Sequence, residues 1–324
     1  MDPRGDLLVC GNLNVDMIYS VPKLPGPGES TPISKEEMVY GGCGGNISLG
    51  ASRLGVSVRL SSVVGRDFDT GYKGRLSENG VDLSGLVIDP YLPSPKCIIM
   101  STPEGIQNYA FMMGAMEKQR DLKIPKTHGV VFCHIATSDP YFSHRCAEIM
   151  KNNGIPASLD PGQEIHFRWG SEELERTLGN CSRFFGNAIE WEKLGEIMGW
   201  GGDEVEVGGR TLKQYPEAYD LIDEAVITLS EDGSALMKKE VIHHAPVKAV
   251  GRMVDATGAG DAFRGGFYAA LARGYRSSEA LLFGNEMGAH VLSVNGPQEY
   301  SISWDELEKR VDPAQLAHQS SRIS

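Results

Sequence analysis

The sequence has no long apolar run, no paired cysteine spacing and no basic cluster. It contains no stretch of roughly 18 apolar residues that could span a membrane, so we expect neither a signal peptide nor a membrane span, and a cytoplasmic location. The six cysteines lack C-x-x-C spacing, which predicts reduced, mostly buried thiols. Lys and Arg total 31 against 43 for Asp and Glu, and the formal net charge of −12 argues against nucleic acid as a partner.

The composition that remains is that of an ordinary globular protein, with 41% apolar and 23% charged residues. Short runs rich in Val, Ile and Phe alternate with helical patterns, which predicts an α/β fold with a parallel sheet covered by helices. We expect one domain over residues 1–324 with an inserted lid. The predicted strands are residues 6–10, 58–64, 129–135, 157–160 and 225–229.

Two segments differ from the rest of the chain, because their residues favour short strands joined by turns. Residues 13–40 contain a Pro/Gly turn at 24–29, and residues 96–113 fit two strands joined by a turn at 103–105. Together they could form a small β lid over one edge of the main sheet. From these residues alone, two surface hairpins without a role are an equally good interpretation.

A glycine-rich turn precedes a helical pattern late in the chain. Residues 254–261 read Val-Asp-Ala-Thr-Gly-Ala-Gly-Asp, and a helix-like run to Gly274 follows. Gly258 and Gly260 let backbone N–H groups converge on an anion, where a helix dipole adds about half a positive charge. Asp261 suits a base that takes a proton from an attacking hydroxyl, although a plain helix N-cap fits these residues equally well.

A second glycine-rich segment lies far upstream, where residues 40–46 read Tyr-Gly-Gly-Cys-Gly-Gly-Asn. Its glycines permit a small ligand to approach the backbone, and Asn46 offers a donor and an acceptor to vicinal hydroxyls. A tight turn needed only for packing is the alternative. No G-x-G-x-x-G follows the first predicted strand, which argues against a dinucleotide-dependent dehydrogenase.

The two segments, in this order and this far apart, resemble the two signatures of the ribokinase-like (phosphofructokinase-B type) carbohydrate kinases. The resemblance implies a ribokinase-like fold, with a central, mostly parallel sheet flanked by helices and a small β lid. It also implies ATP-dependent phosphoryl transfer, with Asp261 as catalytic base and Gly258 and Gly260 stabilising the transferring group.

The resemblance extends to the substrate side. Asp16, after the first predicted strand, resembles the family aspartate that takes two sugar hydroxyls, and one carboxylate can accept both hydrogen bonds of a diol. Asn14, Gly42 and Asn46 are further predicted substrate-binding residues. A turn residue at the end of a strand is the simpler interpretation of Asp16.

Other residues match the family's metal and nucleotide elements. Asn187 and Glu190 match an N-x-x-E element whose Glu organises Mg²⁺ through water, with Gly186 in place of the usual proline. Residues 228–233 match a T-x-G-x-x-G stretch along ATP with Ser230 replacing a glycine, although in isolation a hairpin is preferred. Asp255 and Thr257 resemble positions near a monovalent cation site of some relatives. The predicted nucleotide contacts are Asn187, Thr228, Ser230, Gly233, Gly258, Gly260 and Asn285.

The implied substrate is a nucleoside rather than free ribose. Residues 133–140 and 158–163, together with Arg264, look like the corresponding parts of archaeal nucleoside kinases, which act at a 5′-hydroxyl. Cys43 stands where ribokinases carry a lysine. Met112 and Met113 offer an adaptable apolar surface for a base, although ordinary packing is the alternative for both. Asn108 and Gln163 are predicted polar contacts, and a surface position in a loop fits Gln163 equally well.

Two other functions stay open at this point. A kinase of ribose, fructose or a sugar phosphate would use the same diol-binding residues. A catalytically silent nucleoside or sugar sensor is the non-enzyme alternative, and the retention of Asp261 argues against it. Family likeness also implies a homodimer through the lid, because exposed edge strands need covering.

Overall fold

The computed structural model describes residues 5–247, 253–312, 314 and 317–319. In chain order the strands are β1 Asp6–Cys10, β2 Asn14–Ser20, β3 Lys35–Gly41, β4 Ser57–Gly65, β5 Val81–Asp89, β6 Lys96–Ser101, β7 Gln107–Met112, β8 Val130–Ile135, β9 Ala157–Leu159, β10 Arg183–Asn187, β11 Asp203–Val207, β12 Arg210–Gln214, β13 Glu224–Thr228, β14 Ser234–Met237, β15 Ile242–Ala245 and β16 Ala317–Gln319. The α-helices are α1 Cys43–Arg53, α2 Thr70–Glu78, α3 Pro140–Asn152, α4 Ser171–Leu178, α5 Ala188–Met198, α6 Ala259–Ala272, α7 Ser277–Val291 and α8 Trp304–Glu308.

Ten strands form the central sheet, in the order β16-β15-β14-β13-β10-β9-β8-β1-β4-β5. The strands from β13 to β5 in this order run parallel, and β14, β15 and β16 add an antiparallel edge. The five predicted strands all lie in the parallel part and are confirmed to within one residue at each end. The fold is α/β and mostly parallel, as predicted.

The central sheet is buried on both faces, which explains the near-continuous apolar runs of its strands. In β1, Leu7 and Val9 pack into a cluster with α1, α2, α6 and α7, whereas Leu8 and Cys10 pack into a cluster with α3, α4 and α5. The start of α3 is specified by its own residues. Asp139 accepts hydrogen bonds from the first N–H groups of α3, and Pro140 occupies the first helical position.

A separate four-stranded sheet, here called the second sheet, has the order β3-β2-β6-β7. It is made from the two strand-rich segments singled out in the sequence, 13–40 and 96–113. β2 pairs parallel with β6, and the other two pairs are antiparallel. Every residue of the edge strand β7 is exposed. The two segments are therefore one sheet rather than two separate hairpins, and its role as a lid stays a prediction.

Two smaller expectations are also answered. Within the described ranges, no helix is long and apolar enough to cross a membrane. All six cysteines are free thiols, four of them buried, while Cys43 and Cys97 are partly exposed.

Candidate active site

Two helix N-termini from distant parts of the chain meet at one edge of the central sheet. α1 begins after Gly42 and α6 begins after Gly258, and the two helices pack against each other. Nδ2 of Asn46 in α1 donates a hydrogen bond to Oδ2 of Asp261 in α6, at 2.8 Å. The two glycine-rich segments therefore form one site.

The backbone requires glycine at both helix starts. Gly42 and Gly258 have φ of +93° and +79°, where other residues are strained. A Cβ on Gly42 would lie 2.6 Å from the carbonyl oxygen of Asn12, and one on Gly258 would lie 2.4 Å from Cβ of Pro297. Because glycine has no side chain to cap α6, the first N–H groups of that helix are available to an anion.

Asp261 lies in the first turn of α6 and is partly buried. Burial raises the pKa of Asp261, and the hydrogen bond from Asn46 and the charge of Arg264 oppose this only in part. A carboxylate with a raised pKa is a stronger base than a fully solvated one. The N-cap of α6 is Gly258, so the interpretation of Asp261 as a plain N-cap is wrong.

Asp16 belongs to β2 and is 8% exposed. Its Oδ1 accepts a hydrogen bond from Nδ2 of Asn14, and Oδ1 of Asn14 accepts one from Nδ2 of Asn12 at 3.2 Å. Burial raises the pKa of Asp16 to about 6; the bond from Asn14 opposes this rise, and the charge of Asp261 adds to it. Asp16 and Asp261 are thus close enough to influence each other's protonation.

A buried ion pair supports the α6 side of the site. Arg264 forms an ion pair with Asp160 through Nε, and its Nη1 donates to the carbonyl oxygen of Gly260 at 2.9 Å. His134 Nε2 lies 3.3 Å from Asp160 Oδ2. Burial alone would raise the pKa of Asp160, but Arg264 and His134 outweigh it and lower that pKa to about 2. Asp160 is therefore ionised and fixes Arg264 against the glycine turn.

Asn187 and Glu190 form a capping box at the start of α5. Asn187 Oδ1 accepts from the Glu190 N–H at 2.9 Å, and Glu190 Oε2 accepts from the Asn187 N–H at 2.8 Å. Glu190 is buried rather than exposed. Burial raises the pKa of Glu190, and the charges of Asp160 and Asp261 raise it further.

Glu190, the predicted Mg²⁺ ligand, is one of several carboxylates whose charges interact near α6. Asp160, Glu190 and Asp261 influence one another electrostatically, and the buried guanidinium of Arg264 balances only part of their negative charge. Carboxylate oxygens are the protein ligands that Mg²⁺ prefers, often with water between. A carboxylate such as Glu190 suits Mg²⁺, but in the described ranges no three carboxylates have oxygen atoms within 4.8 Å of one another, so the Mg²⁺ site at Glu190 stays a prediction.

The predicted nucleotide stretch 228–233 is the hairpin between β13 and β14, as its residues alone suggested. Ser230 has φ of +56°, and no other non-glycine residue within the described ranges has a positive φ. The position therefore has the conformation of the glycine that Ser230 replaces. Asn285 donates from Nδ2 to the carbonyl oxygen of Ala245 at 2.7 Å, which ties α7 to the end of β15.

The predicted substrate contacts on the second sheet need correction. Asp16 pairs with Cys97, and Cys97 pairs with Phe111, so these side chains share one face. Asn108 and Met112 occupy the alternate positions of β7 and lie on the opposite face. Strand alternation therefore directs Asn108 and Met112 away from Asp16, and the exposed aromatic residues Tyr109 and Phe111 lie on its face instead.

Two further predictions are not decided by the geometry. Gln163 is exposed in a 3₁₀ turn after β9, and no side-chain hydrogen bond joins it to the other predicted residues in the described part of the chain. Asp255 accepts hydrogen bonds from the N–H groups of Thr257 and Gly296, at 2.9 and 3.0 Å. The monovalent cation site at Asp255 and Thr257 stays a prediction.

Comparison with known proteins decides the family, because residues 4–304 match the pfkB family of carbohydrate kinases. The chain belongs to this family. It is 28% identical over 314 residues to a nucleoside kinase of Methanocaldococcus jannaschii, covering 96% of this chain and 99% of the relative. It is 30% identical over 316 residues to a nucleoside kinase of Methanothermobacter thermautotrophicus, covering 96% of each.

The solved structure of the Methanocaldococcus jannaschii nucleoside kinase, an archaeal member of the ribokinase family, matches with a TM-score of 0.86 at 27% identity, covering 96% of this chain and 99% of that one. The predicted ribokinase-like fold is confirmed. As a pfkB kinase, the protein is a phosphotransferase with an alcohol group as acceptor.

Some residues of this pfkB kinase site were not anticipated. Gln298 donates from Nε2 to Asn46 Oδ1 at 2.8 Å and to the Tyr72 hydroxyl at 2.9 Å. Asp160 lies within the stretch 158–163 that resembles nucleoside kinases, but the sequence predicts no role for it. No local sequence pattern marks Gln298 or Asp160, because the residues that they contact in the site are far away in the sequence.

Proposed function

We propose that this pfkB kinase transfers the γ-phosphoryl group of ATP to the 5′-hydroxyl of a nucleoside. Asp16, held by Asn14, accepts the hydrogen bonds of the ribosyl hydroxyls. Asp261 takes the proton of the 5′-hydroxyl as its oxygen attacks the γ-phosphorus. The N–H groups at the start of α6, with Gly258 at the N-cap and Gly260 in the first turn, stabilise negative charge on the transferring group.

The observation that carries the proposal is the hydrogen bond between Asn46 and Asp261. It brings the carboxylate at the anion-binding turn beside the polar groups suited to a diol. A hydroxyl-bearing substrate bound near Asn46 and Asp16 would have its reactive oxygen near a partly buried base. This is the arrangement that in-line phosphoryl transfer to an alcohol requires.

The remaining residues of the site bind ATP, the phosphate donor. Thr228, Ser230, Gly233, Asn187 and Asn285 line the ATP site. Glu190 would hold Mg²⁺ through water, and the ion would supply positive charge to the ATP phosphates. Arg264 keeps the turn at Gly260 in place and is not assigned a contact with substrate.

Two observations favour a nucleoside over a free sugar. The relatives with 28% and 30% identity over nearly the whole chain are nucleoside kinases. The exposed rings of Tyr109 and Phe111 lie on the Asp16 face of the second sheet, where a flat aromatic base could stack. Phosphorylation of ribose, fructose or a sugar phosphate is the second candidate, because Asp16 and Asn46 would serve either substrate.

The second sheet also acts as a lid and pairs with a second copy in this proposal. Its edge strand β7 is exposed along its whole length, and Met38, Ile98 and Met112 expose apolar surface on the face away from Asp16. Light scattering of the purified protein tests this: we expect a dimer that Ile98→Glu converts to monomer. A wild-type monomer at all concentrations would contradict the pairing but not the kinase chemistry.

The proposed reaction is tested by ATP consumption with Mg²⁺ against purine and pyrimidine nucleosides, ribose, fructose and fructose phosphates, with the phosphorylated position identified by NMR. We expect nucleoside 5′-monophosphates. Turnover of a free sugar alone would support the second candidate. Turnover of none of these acceptors would contradict the proposal.

A further inference from the structure

The C-terminal segment 296–298 contacts the site at three places. The N–H of Gly296 donates to Asp255, Pro297 packs against Gly258, and Gln298 reaches Asn46. Gln298 is 2% exposed. Arg53 holds the main chain here, since its Nη1 donates to the carbonyl oxygen of Gln298 at 2.9 Å. Gln298 is therefore held at its main-chain carbonyl by Arg53 and at its side-chain amide by Asn46.

The side-chain amide of Gln298 donates hydrogen bonds and accepts none within the described ranges. Nε2 uses its two N–H groups on Oδ1 of Asn46 and on the hydroxyl oxygen of Tyr72. The Tyr72 hydroxyl donates onward to the carbonyl oxygen of Gly41 at 2.7 Å, so its oxygen is free to accept. Each donor in this series of hydrogen bonds, from Gln298 to Asn46 and Tyr72 and from Tyr72 to Gly41, has an acceptor.

This arrangement decides which way the Asn46 amide faces. Asn46 Oδ1 receives the N–H of Gln298, so Nδ2 is turned to Oδ2 of Asp261. The opposite orientation would place the amide oxygen against the carboxylate and the amide N–H₂ against another donor. Without the donor from Gln298, only Asp261 would orient Asn46.

The Gln298 amide oxygen indicates that donation is what this side chain supplies. Oε1 is buried and has no hydrogen-bond partner within the described ranges. An unpartnered buried oxygen is unfavourable for folding, and an apolar side chain of similar length would avoid it. Packing alone would therefore not favour glutamine here.

We propose that Gln298 is a positioning residue for phosphoryl transfer, orienting Asn46 so that Asn46 holds one oxygen of the Asp261 base. The inference rests on the proposed function. With Oδ2 held by Asn46, the Asp261 carboxylate is oriented to receive the proton of the attacking hydroxyl. Gln298 touches neither the carboxylate nor the reacting atoms, and its effect passes through Asn46.

Besides Asn46, the groups that influence the protonation of Asp261 lie on several elements, and all of these remain when Gln298 is changed. They are the charged groups Asp16, Asp160, Glu190 and Arg264 and the groups Cys43, Tyr72, Tyr300 and His134. Since the Asn46 hydrogen bond lowers the pKa of Asp261, losing it should move the acid limb of the kcat profile to higher pH.

The test compares Gln298→Met with Gln214→Met. Gln214 is a matched control, because it is also buried, donates from Nε2 to two main-chain carbonyl oxygens and leaves Oε1 without a partner, on β12 at a distance from Asp261. We expect Gln298→Met to lower kcat about 10- to 100-fold with little change in KM, as misplacement of a catalytic group does. Gln214→Met should leave kcat unchanged.

Two readouts separate positioning from general damage. In an Asn46→Ala background, Gln298→Met should have almost no further effect on kcat, since its action passes through Asn46. In the ligand-free protein, ¹³C NMR of the Asp261 carboxyl should show a higher pKa in Gln298→Met than in wild type or Gln214→Met.

The NMR measurement needs no turnover, so the inference and the proposed function fail separately. Wild-type inactivity towards every acceptor would contradict the proposed function. An unchanged Asp261 titration, an unchanged kcat in Gln298→Met, or an equal loss in both glutamine variants would contradict the role of Gln298.

Discussion

Asp261 and its partners are packed into the main body of the protein, whereas Asp16 lies on a sheet whose outermost strand is exposed throughout. On the main-body side, Arg264, Asp160 and Asn46 are buried and each has a defined polar partner. On the second-sheet side, Tyr109 and Phe111 are exposed. Buried, fully partnered groups hold a fixed geometry, while an exposed strand can adjust to its ligand.

This difference suggests a division of labour within the site. Changes on the main-body side should reduce stability or kcat, because they disturb the position and protonation of the base. Changes on the second sheet should alter KM and substrate preference, because they affect how the acceptor is held. The predictions below test this division, starting with the largest expected effect.

The largest effect on stability should come from breaking the buried ion pair. Asp160→Ala leaves the Arg264 guanidinium buried without its carboxylate, and we expect the free energy of unfolding to fall by about 3–5 kcal/mol. Denaturant unfolding measures this change. Glu172→Ala removes the exposed partner of Arg176 and should cost below about 0.5 kcal/mol. Equal losses in the two variants would contradict the assigned role of the buried pair.

On the second sheet, Phe111→Ala should weaken nucleoside binding. If the ring stacks on the base, its loss should cost about 1–3 kcal/mol of binding free energy, seen as a higher KM for nucleosides at similar kcat. Met112→Ala, next along β7 but on the opposite face, serves as the control and should change KM little. An equal rise in KM for ribose would show that the ring does not contact a base.

The pH dependence of kcat/KM should report Asp16. Its pKa is raised to about 6 by burial, and only the ionised form can accept both diol hydrogen bonds. As pH falls through 6, kcat/KM should therefore decline, by about tenfold at pH 5. Asp16→Asn should lower kcat/KM at neutral pH and remove this part of the acid limb, leaving the part due to Asp261. An acid limb identical to that of wild type would contradict the assignment.

The smallest effect concerns the hairpin between β13 and β14. Ser230 adopts φ of +56°, so Ser230→Gly should relieve strain and stabilise the protein by about 0.5–1 kcal/mol. Thermal unfolding measures this gain. Ser234→Gly, four residues on in β14, is the control and should destabilise. A loss of stability in Ser230→Gly would show that the hydroxyl, not the backbone, matters there.

Sequence reasoning was most accurate where the physical signal is local. The parallel strands are buried on both faces, so each appears as an apolar run, and all five predicted strands are present. The glycine-rich turns were visible because positive φ at Gly42 and Gly258 requires glycine. β5, β14 and β15 were not predicted, because β14 and β15 have only four residues each and Asp82, Ser84 and Gly85 interrupt the apolar run of β5.

The rest of the site could not be predicted because it depends on contacts between distant parts of the chain. Asn46 is predicted to bind a diol, and the sequence does not reveal that its amide also contacts Asp261 and Gln298. Asn108 was expected to bind substrate, but the register of β6 and β7 places it on the opposite face from Asp16. A shift of one residue in the pairing of β2, β6 and β7 would reverse that result.

The central claim, that Asp261 is the base of a nucleoside kinase, is tested most directly by Asp261→Asn. We would measure kcat with the preferred nucleoside and, separately, nucleoside binding by calorimetry. The amide keeps the shape of the side chain but cannot accept the proton, so kcat should fall about 10²–10⁴-fold while binding changes little. If Asp261→Asn retained more than about a tenth of wild-type kcat, a role for Asp261 as the base would be contradicted.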